Sequence, residues 1–346
     1  MSTIKVNTIT NNGSAVDLPS GAFSIGGKSI VQNYTSSATE PTSPSAGDIW
    51  WDSANSTYYV YINGEFKEIG IIIPAVWYGD RGTFNWGTTI DYFTIATSGS
   101  AANFGTATNT VNSAAGCGDG SRGLLGGGSG SVNTIEYFTI STTGNTTDFG
   151  DLTLGRSEPT ACSDGTYGVF AGGTGPVNVI DYVTVQTTAN AQDFGDLTAA
   201  RYAATAVNDA TRGVFAGGRT SIWDNILDYI TIATTGNATD FGDLTVNRGL
   251  AGGAGDTTRG VFAGGLVPEV NTIDYITIQT TGNATDFGDL TAAQSEIEGC
   301  SDATYAVFSG PTWQSITIQT TGNASSFDKT GSTISKSRAG ISGSSA

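Results

Sequence analysis

From about residue 76 onward one pattern of about 45 residues recurs six times, so the chain can bury its apolar faces only by stacking each copy on the next. Three anchors define a copy. The first is a glycine-flanked apolar run: Arg81-Gly-Thr-Phe84, Arg122-Gly-Leu-Leu125, Gly168-Val-Phe170, Gly213-Val-Phe215, Gly260-Val-Phe262 and Ala306-Val-Phe308. The second is Ile-Asp-Tyr-x-Thr-Ile, with its acid at Asp91, Glu136, Asp181, Asp228 and Asp274, in steps of 45, 45, 47 and 46 residues; the sixth copy keeps only Ile316-Thr-Ile318. The third, Asp-Phe-Gly-Asp-Leu-Thr, is centred on Phe149, Phe194, Phe241 and Phe287 and is worn down around Phe104 and Phe327 in the end copies. Val, Ile, Thr, Tyr and Phe fill the runs and Gly, Asn and Asp separate them, which is strand and turn composition throughout. Four short strands per copy, six times, predict an all-β fold: a six-bladed β-propeller of four-stranded blades over residues 71–346. A β-solenoid is the alternative, but its coils are shorter, about 20 to 30 residues. The segment from Arg338, aligned with Arg201, has no following Gly-Val-Phe run. It is expected to close the ring on Arg81–Phe84, with Ala75–Tyr78 as the competing donor.

Composition narrows the chemistry. The 346 residues carry 14 basic and 31 acidic side chains, a net charge of −17, and no His. His-dependent nucleophiles and His-ligated metals are therefore excluded. So few scattered cations cannot neutralise a phosphate backbone, so no nucleic acid is expected as partner. The most apolar stretch, residues 69–77, contains Gly70 and Pro74 and is far short of the ~20 residues that cross a bilayer; neither membrane insertion nor a secretory leader is expected. Cys117, Cys162 and Cys300 each precede a turn Asp by two residues, at the register of Val207 and Ala254, and read as free, buried thiols. Without Cys-x-x-Cys pairs, neither a metal nor a cofactor is expected. The paired acids of Asp-Phe-Gly-Asp, such as Asp240 and Asp243, are too thin a set for calcium and read as turn caps. Asn145, Asn237, Asn283 and Asn323 read as Gly-Asn turns rather than glycosylation acceptors. A glycosidase needs two carboxylates at a set separation, whereas the acids here repeat and the unrepeated Glu158, Glu269, Glu296 and Glu298 form no motif. No enzymatic activity is expected.

The front of the chain is different. Residues 1–33 are polar and extended, with too little apolar content to fold alone. Residues 34–70 read as a small β module: Asp48-Ile-Trp50-Trp51, then Tyr58-Tyr-Val-Tyr-Ile62, an Asn63-Gly64 hairpin, and Glu65-Phe-Lys-Glu-Ile69, with Trp50, Trp51, Tyr59 and Tyr61 as its core.

Two resemblances follow. The Gly-Gly after each Val-Phe strand, the Tyr-bearing strand after a variable loop, and an Arg recurring at 156, 201, 248 and 338 resemble Kelch-type blades, although Phe stands where those carry Trp and Gln294 replaces one Arg. The Met-Ser-Thr-Ile-Lys-Val opening and the Gly-Asp-Ile-Trp-Trp-Asp module resemble the N-terminal attachment regions of tailed-phage fibre and appendage proteins, especially those of marine cyanophages. That resemblance implies a virion protein, assembled in the host cytoplasm, docking to other virion proteins through residues 1–70. It also implies a homo-oligomer, a trimer, formed through the arm of residues 1–33.

Variation between copies concentrates after the second and fourth strands of each blade, and those loops leave a four-stranded blade on the same face. Trp223, Tyr202, Arg219 and Glu269 are the candidate ligand-binding residues there, suited to stacking on or hydrogen bonding to a host-surface glycan, and Trp86 lies near the same face. Trp313, aligned with Ile273, reads as core. The expectation is a tail fibre or appendage protein that presents a propeller for host attachment. A receptor-free capsid or tail decoration is the alternative, and a carbohydrate-degrading enzyme a more distant one.

Overall fold

In the computed structural model the described residues are 79–343 without 109–111, 267 and 338, together with short stretches of the front segment between 24 and 69. Contacts divide the chain into two units, Met1–Pro74 and Ala75–Ala346. All regular structure among the described residues is β.

In the first unit Tyr34–Ser37 runs parallel to Ile49–Asp52, which continues antiparallel into Thr57–Ile62 and Glu65–Ile69. Ile62 pairs with Glu65, the register of a hairpin; Asn63 and Gly64 lie outside the described residues. Trp50 is buried, stacked on Tyr59 at 5.0 Å and against Phe66 at 5.4 Å, while Tyr61 meets Phe66 edge-on. The side chain of Trp51 lies outside the described residues, as does most of the 1–33 arm, of which Ser24–Ile25 pairs with Lys28–Ser29.

The second unit is a six-bladed propeller. Each blade is an antiparallel four-stranded meander read from the centre outward. Blade 2 is Ala115–Gly118, Arg122–Gly126, Thr134–Thr139 and Thr147–Asp151; blade 3 is Thr160–Ser163, Tyr167–Ala171, Val179–Thr184 and Gln192–Asp196. Blade 4 is Thr205–Asn208, Arg212–Ala216, Ile226–Thr231 and Thr239–Asp243; blade 5 is Gly252–Gly255, Arg259–Ala263, Thr272–Thr277 and Thr285–Asp289. Blade 6 is Gly299–Ser301, Tyr305–Phe308, Gln314–Thr317 and Ser325–Ser326. Blade 1 takes its innermost strand, Gly340–Gly343, from the far end of the chain and the rest from Arg81–Trp86, Thr89–Thr94 and Ala102–Thr106. The ring is thus closed by the C-terminal segment, as expected, although its register differs from the sequence alignment. Ile341 pairs with Thr83 as Val207 pairs with Val214, which puts Ser335 rather than Arg338 opposite Arg201 in the repeat. Polar residues around Arg338 hid this shift of three. Arg338 and Ala75–Tyr78 lie outside the described residues.

The core is six seams rather than one centre. Between blades 3 and 4, for instance, Cys162, Val169, Ile180 and Phe194 pack on Phe215, Ile230 and Ile232. Trp313 is buried in the last seam, edge-on to Phe84 at 5.0 Å, where blade 6 meets blade 1. The three cysteines are free and buried and point across seams: a side-chain carbon on Gly168 would meet the Cys117 sulfur at 2.9 Å. Burial pushes the Cys117 thiol up to about 12 and raises Cys162 and Cys300 well above the ordinary value, so none is a thiolate at neutral pH.

Asp-Phe-Gly-Asp is not a turn. It is the outermost strand of its blade, and its Phe sits at a β-bulge that turns the ring into the seam: in blade 4, Leu227 pairs with Gly242 and Asp228 with Asp240, so Phe241 is skipped. Gly242 has φ +145°, and a side-chain carbon there would lie 2.5 Å from the backbone of Gly282 in the next blade. Only glycine fits both demands. The turn caps are other aspartates: Asp119, Asp164, Asp209, Asp256 and Asp302, whose Oδ1 atoms accept backbone N–H bonds two and three residues on. The Asn of the Gly-Asn turn docks blades, its Oδ1 accepting from the backbone N–H that ends the previous outer strand, as Asn237 does from Asp196 at 3.1 Å.

Candidate functional site

The loops after the second and fourth strands share one face because every blade is a simple meander. At its centre the residues that lead into the innermost strands adopt positive φ, among them Glu158, Ala203, Leu250 and Glu296. Their backbones form a chain around the channel mouth: Glu158 N–H donates to Ser113, Ala203 to Glu158, Leu250 to Ala203, Glu296 to Leu250 and Ser337 to Glu296, at 2.8–3.0 Å. The channel, lined by small residues of all six innermost strands, holds about 100 Å³.

Beneath this ring lies the repeated acid of the second anchor. In blades 3, 4 and 5 it forms a fully buried ion pair with the Arg that precedes the innermost strand: Arg156–Asp181 at 2.7 Å, Arg201–Asp228 at 2.9 Å and Arg248–Asp274 at 2.9 Å. Each carboxylate also accepts from the Thr that follows the outer strand of the preceding blade, as Asp228 does from Thr198 Oγ1 at 2.5 Å. Burial pulls all three guanidiniums below their ordinary value and the facing carboxylates push back. Blade 6 has the neutral Gln294 and Gln314 at the two positions; Gln314 Oε1 accepts from the Thr291 N–H at 2.6 Å, while the amide of Gln294 is buried without a hydrogen-bond partner among the described residues. Sequence reading found the Arg and the Asp as separate repeats; their joint loss in blade 6 was the signal that they touch.

At the surface, blade 4 brings three of the sequence-selected residues together. Gly218, at φ +103°, lets the chain leave the second strand so that Arg219 pairs by backbone with Tyr202, N–H to O at 2.8 and 3.2 Å, and bridges to Trp223. The Arg219 guanidinium lies over the Trp223 ring at 5.6 Å. The ring rests on Gly249, where a side-chain carbon would collide with it at 2.4 Å, and Asn247 Nδ2 donates to the Trp223 carbonyl at 3.2 Å. Next to Trp223, Ile222 is 65% exposed. The result is a platform of two half-buried aromatic side chains, an exposed guanidinium and an exposed aliphatic side chain. It can stack on a flat apolar face while donating hydrogen bonds at its rim, and it contains no nucleophile or acid–base pair.

Glu269 and Trp86 are not part of this platform. Glu269 belongs to the corresponding loop of blade 5, and its Oε1 accepts from the Ser295 hydroxyl at 2.7 Å. Trp86 ends the second strand of blade 1 and packs on the aromatic seam between blades 6 and 1. Ile222 was missed by sequence reading, because nothing in the repeat marks which loop residue stands clear. No cluster of three or more Cys, Asp or Glu side chains suited to a metal ion occurs among the described residues. No family model matches the chain, and no curated protein matches it.

Proposed function

We propose that the chain is a non-enzymatic binding protein of a phage virion, a tail fibre or appendage component that attaches by its front segment and uses the loop face of a Kelch-like propeller to bind host-surface glycan. The observation that carries the binding reading is the Tyr202–Arg219–Trp223 platform, with Ile222 exposed beside it. Ring faces flanked by a guanidinium suit a pyranose, whose axial C–H face is apolar and whose equatorial hydroxyls accept at the edge. The virion assignment rests on the opening residues and on the Gly47-Asp-Ile-Trp-Trp-Asp52 module.

The test is a glycan array probed with the full chain and with Trp223→Ala. Binding to a defined set of glycans, weakened at least about tenfold by loss of the indole, is the expected result. The half-buried Trp223 ring rests on Gly249 at the loop face and belongs to none of the six seams, so the variant should keep the propeller fold, checked by its melt. An array with no signal would leave receptor-free decoration of the particle as the better reading.

A further inference from the structure

On the face opposite the loops, seams are latched by side chains. In four seams an Arg at the start of the second strand lies over the third-strand Tyr of its own blade and donates Nη1 to a carbonyl of the next blade. Arg81 covers Tyr92 at 4.6 Å and reaches Ile140 at 2.8 Å; Arg122 covers Tyr137 at 4.4 Å and reaches Val185 at 3.0 Å. Arg212 does the same with Tyr229 and Ile278, and Arg259 with Tyr275 and Ile318, at 4.3 and 4.4 Å from the rings. A second latch joins three seams, where Gln186, Gln279 and Gln319 donate to the Oδ2 atoms of Asp119, Asp209 and Asp256 in the preceding blade.

The seam between blades 3 and 4 lacks both. Tyr167 stands at the Arg position and Ala233 at the Gln position. What remains is a recess of about 260 Å³ lined by Tyr167, Tyr182, Phe194, Ile232, Ala233 and Thr234. Tyr167 meets Tyr182 edge-on at 5.7 Å, and the Tyr182 hydroxyl donates to Gln192 at 2.9 Å, which holds the rings in place. Asp164 accepts from Thr166 and Tyr167 through Oδ1 alone; no hydrogen bond reaches its Oδ2 among the described residues, and none reaches the Ile232 carbonyl. Blade 6 also replaces the Arg, with Tyr305, but Ser315 stands where the third-strand Tyr would be, so no aromatic wall forms there.

We propose that this seam takes the guanidinium of an arginine side chain presented by a basic partner protein. It enters the recess beside Tyr167, lies against the rings of Tyr167 and Tyr182, and donates to the Ile232 carbonyl, the acceptor that the latch arginines use in their own seams, and to Asp164 Oδ2. A planar fork of donors matches two acceptors and a ring better than an ammonium does. The net charge of −17 draws such a partner in. The site is on the other face of the ring from the Trp223 platform, so the two readings stand or fall separately.

The probe is N-acetyl-arginine amide titrated into the full chain, with the backbone amide signals of Ala233, Thr234 and Thr235 as readout. Binding at roughly millimolar Kd is expected, with the neutral N-acetyl-citrulline amide at least about tenfold weaker. The double variant Tyr167→Arg/Ala233→Gln restores both latches from within and is expected to abolish the shifts. Should that variant melt below the wild type, Ala233→Gln alone serves, since it occupies Asp164 as Gln186 occupies Asp119. Absent shifts in the wild type, equal binding of citrulline amide, or undiminished binding by the latched variant would each overturn the proposal. Guanidinium chloride binding as tightly as the amide would also overturn it, in favour of a small free ion.

Discussion

A guanidinium with no exposed surface keeps its charge only while the carboxylate opposite keeps its own. Arg201 and Asp228 are both fully buried, and the Nε and Nη1 atoms of Arg201 have no hydrogen-bond partner, so Asp228 carries most of the compensation. Asp228→Ala is therefore expected to cost about 3–5 kcal/mol in urea unfolding, whereas replacing both partners by Leu and Met should cost much less. Blade 6 already makes the neutral choice with Gln294 and Gln314. Blade 1 is the opposite case: Asp91 is buried and no Arg pairs with it among the described residues; it accepts from the Ser332 hydroxyl at 2.6 Å, and burial raises its pKa despite that bond. A carboxyl whose folded pKa is raised contributes stability below its ordinary value of 3.8 and loses that contribution as pH climbs through the raised value. Wild type should accordingly lose stability relative to Asp91→Asn as pH rises from about 4 toward 7, in melts at fixed ionic strength. A constant difference across that range would show that the carboxyl titrates normally.

At the scale of strands and turns, the closing element is open to direct test. Gly340–Gly343 is short and all of it but Ile341 is glycine or serine, yet Ile341 is buried in the seam and its carbonyl accepts from Thr83 Oγ1 at 3.1 Å. Deleting residues 338–346 removes that side chain and bares the edge of Arg81–Trp86. A cost of about 2–5 kcal/mol from the lost isoleucine alone should lower the melting temperature by at least about 5 °C. An unchanged melt would mean that another segment, such as Ala75–Tyr78, closes the ring. The meander was legible because each strand of a blade keeps its own residue signature at fixed spacing. Its exceptions were not. Asp240 and Asp243 look like turn residues until Gly242 is seen packed against the backbone of Gly282, a contact made by the next blade and invisible within one repeat. The loop-face platform was half legible: the aromatic and basic types at 202, 219 and 223 stood out, but their pairing depends on a backbone bridge between two variable loops. The recess between blades 3 and 4 left a fainter mark, one latch residue lost at Tyr167 in the third copy and the facing one lost at Ala233 in the fourth.

For the molecule as a whole, net charge and topology act together. The outermost strands carry exposed acids such as Asp148, Asp193, Asp240 and Asp286, which oppose pairing of those edges with another chain. The innermost edge of blade 1 has no such guard, only the strand that closes it, and Ile341 lies 258 residues beyond its partner Thr83. On a ribosome adding about 5–20 residues per second, that gap is about 13–50 s during which Arg81–Trp86 waits with one side unpaired. Five blades can fold in order as they emerge, but the first must be finished last. The birth of this protein therefore has a vulnerable interval set by the distance between two strands, and whatever binds that waiting edge in the cell, a chaperone or a sister chain, competes with four residues that have not yet been made.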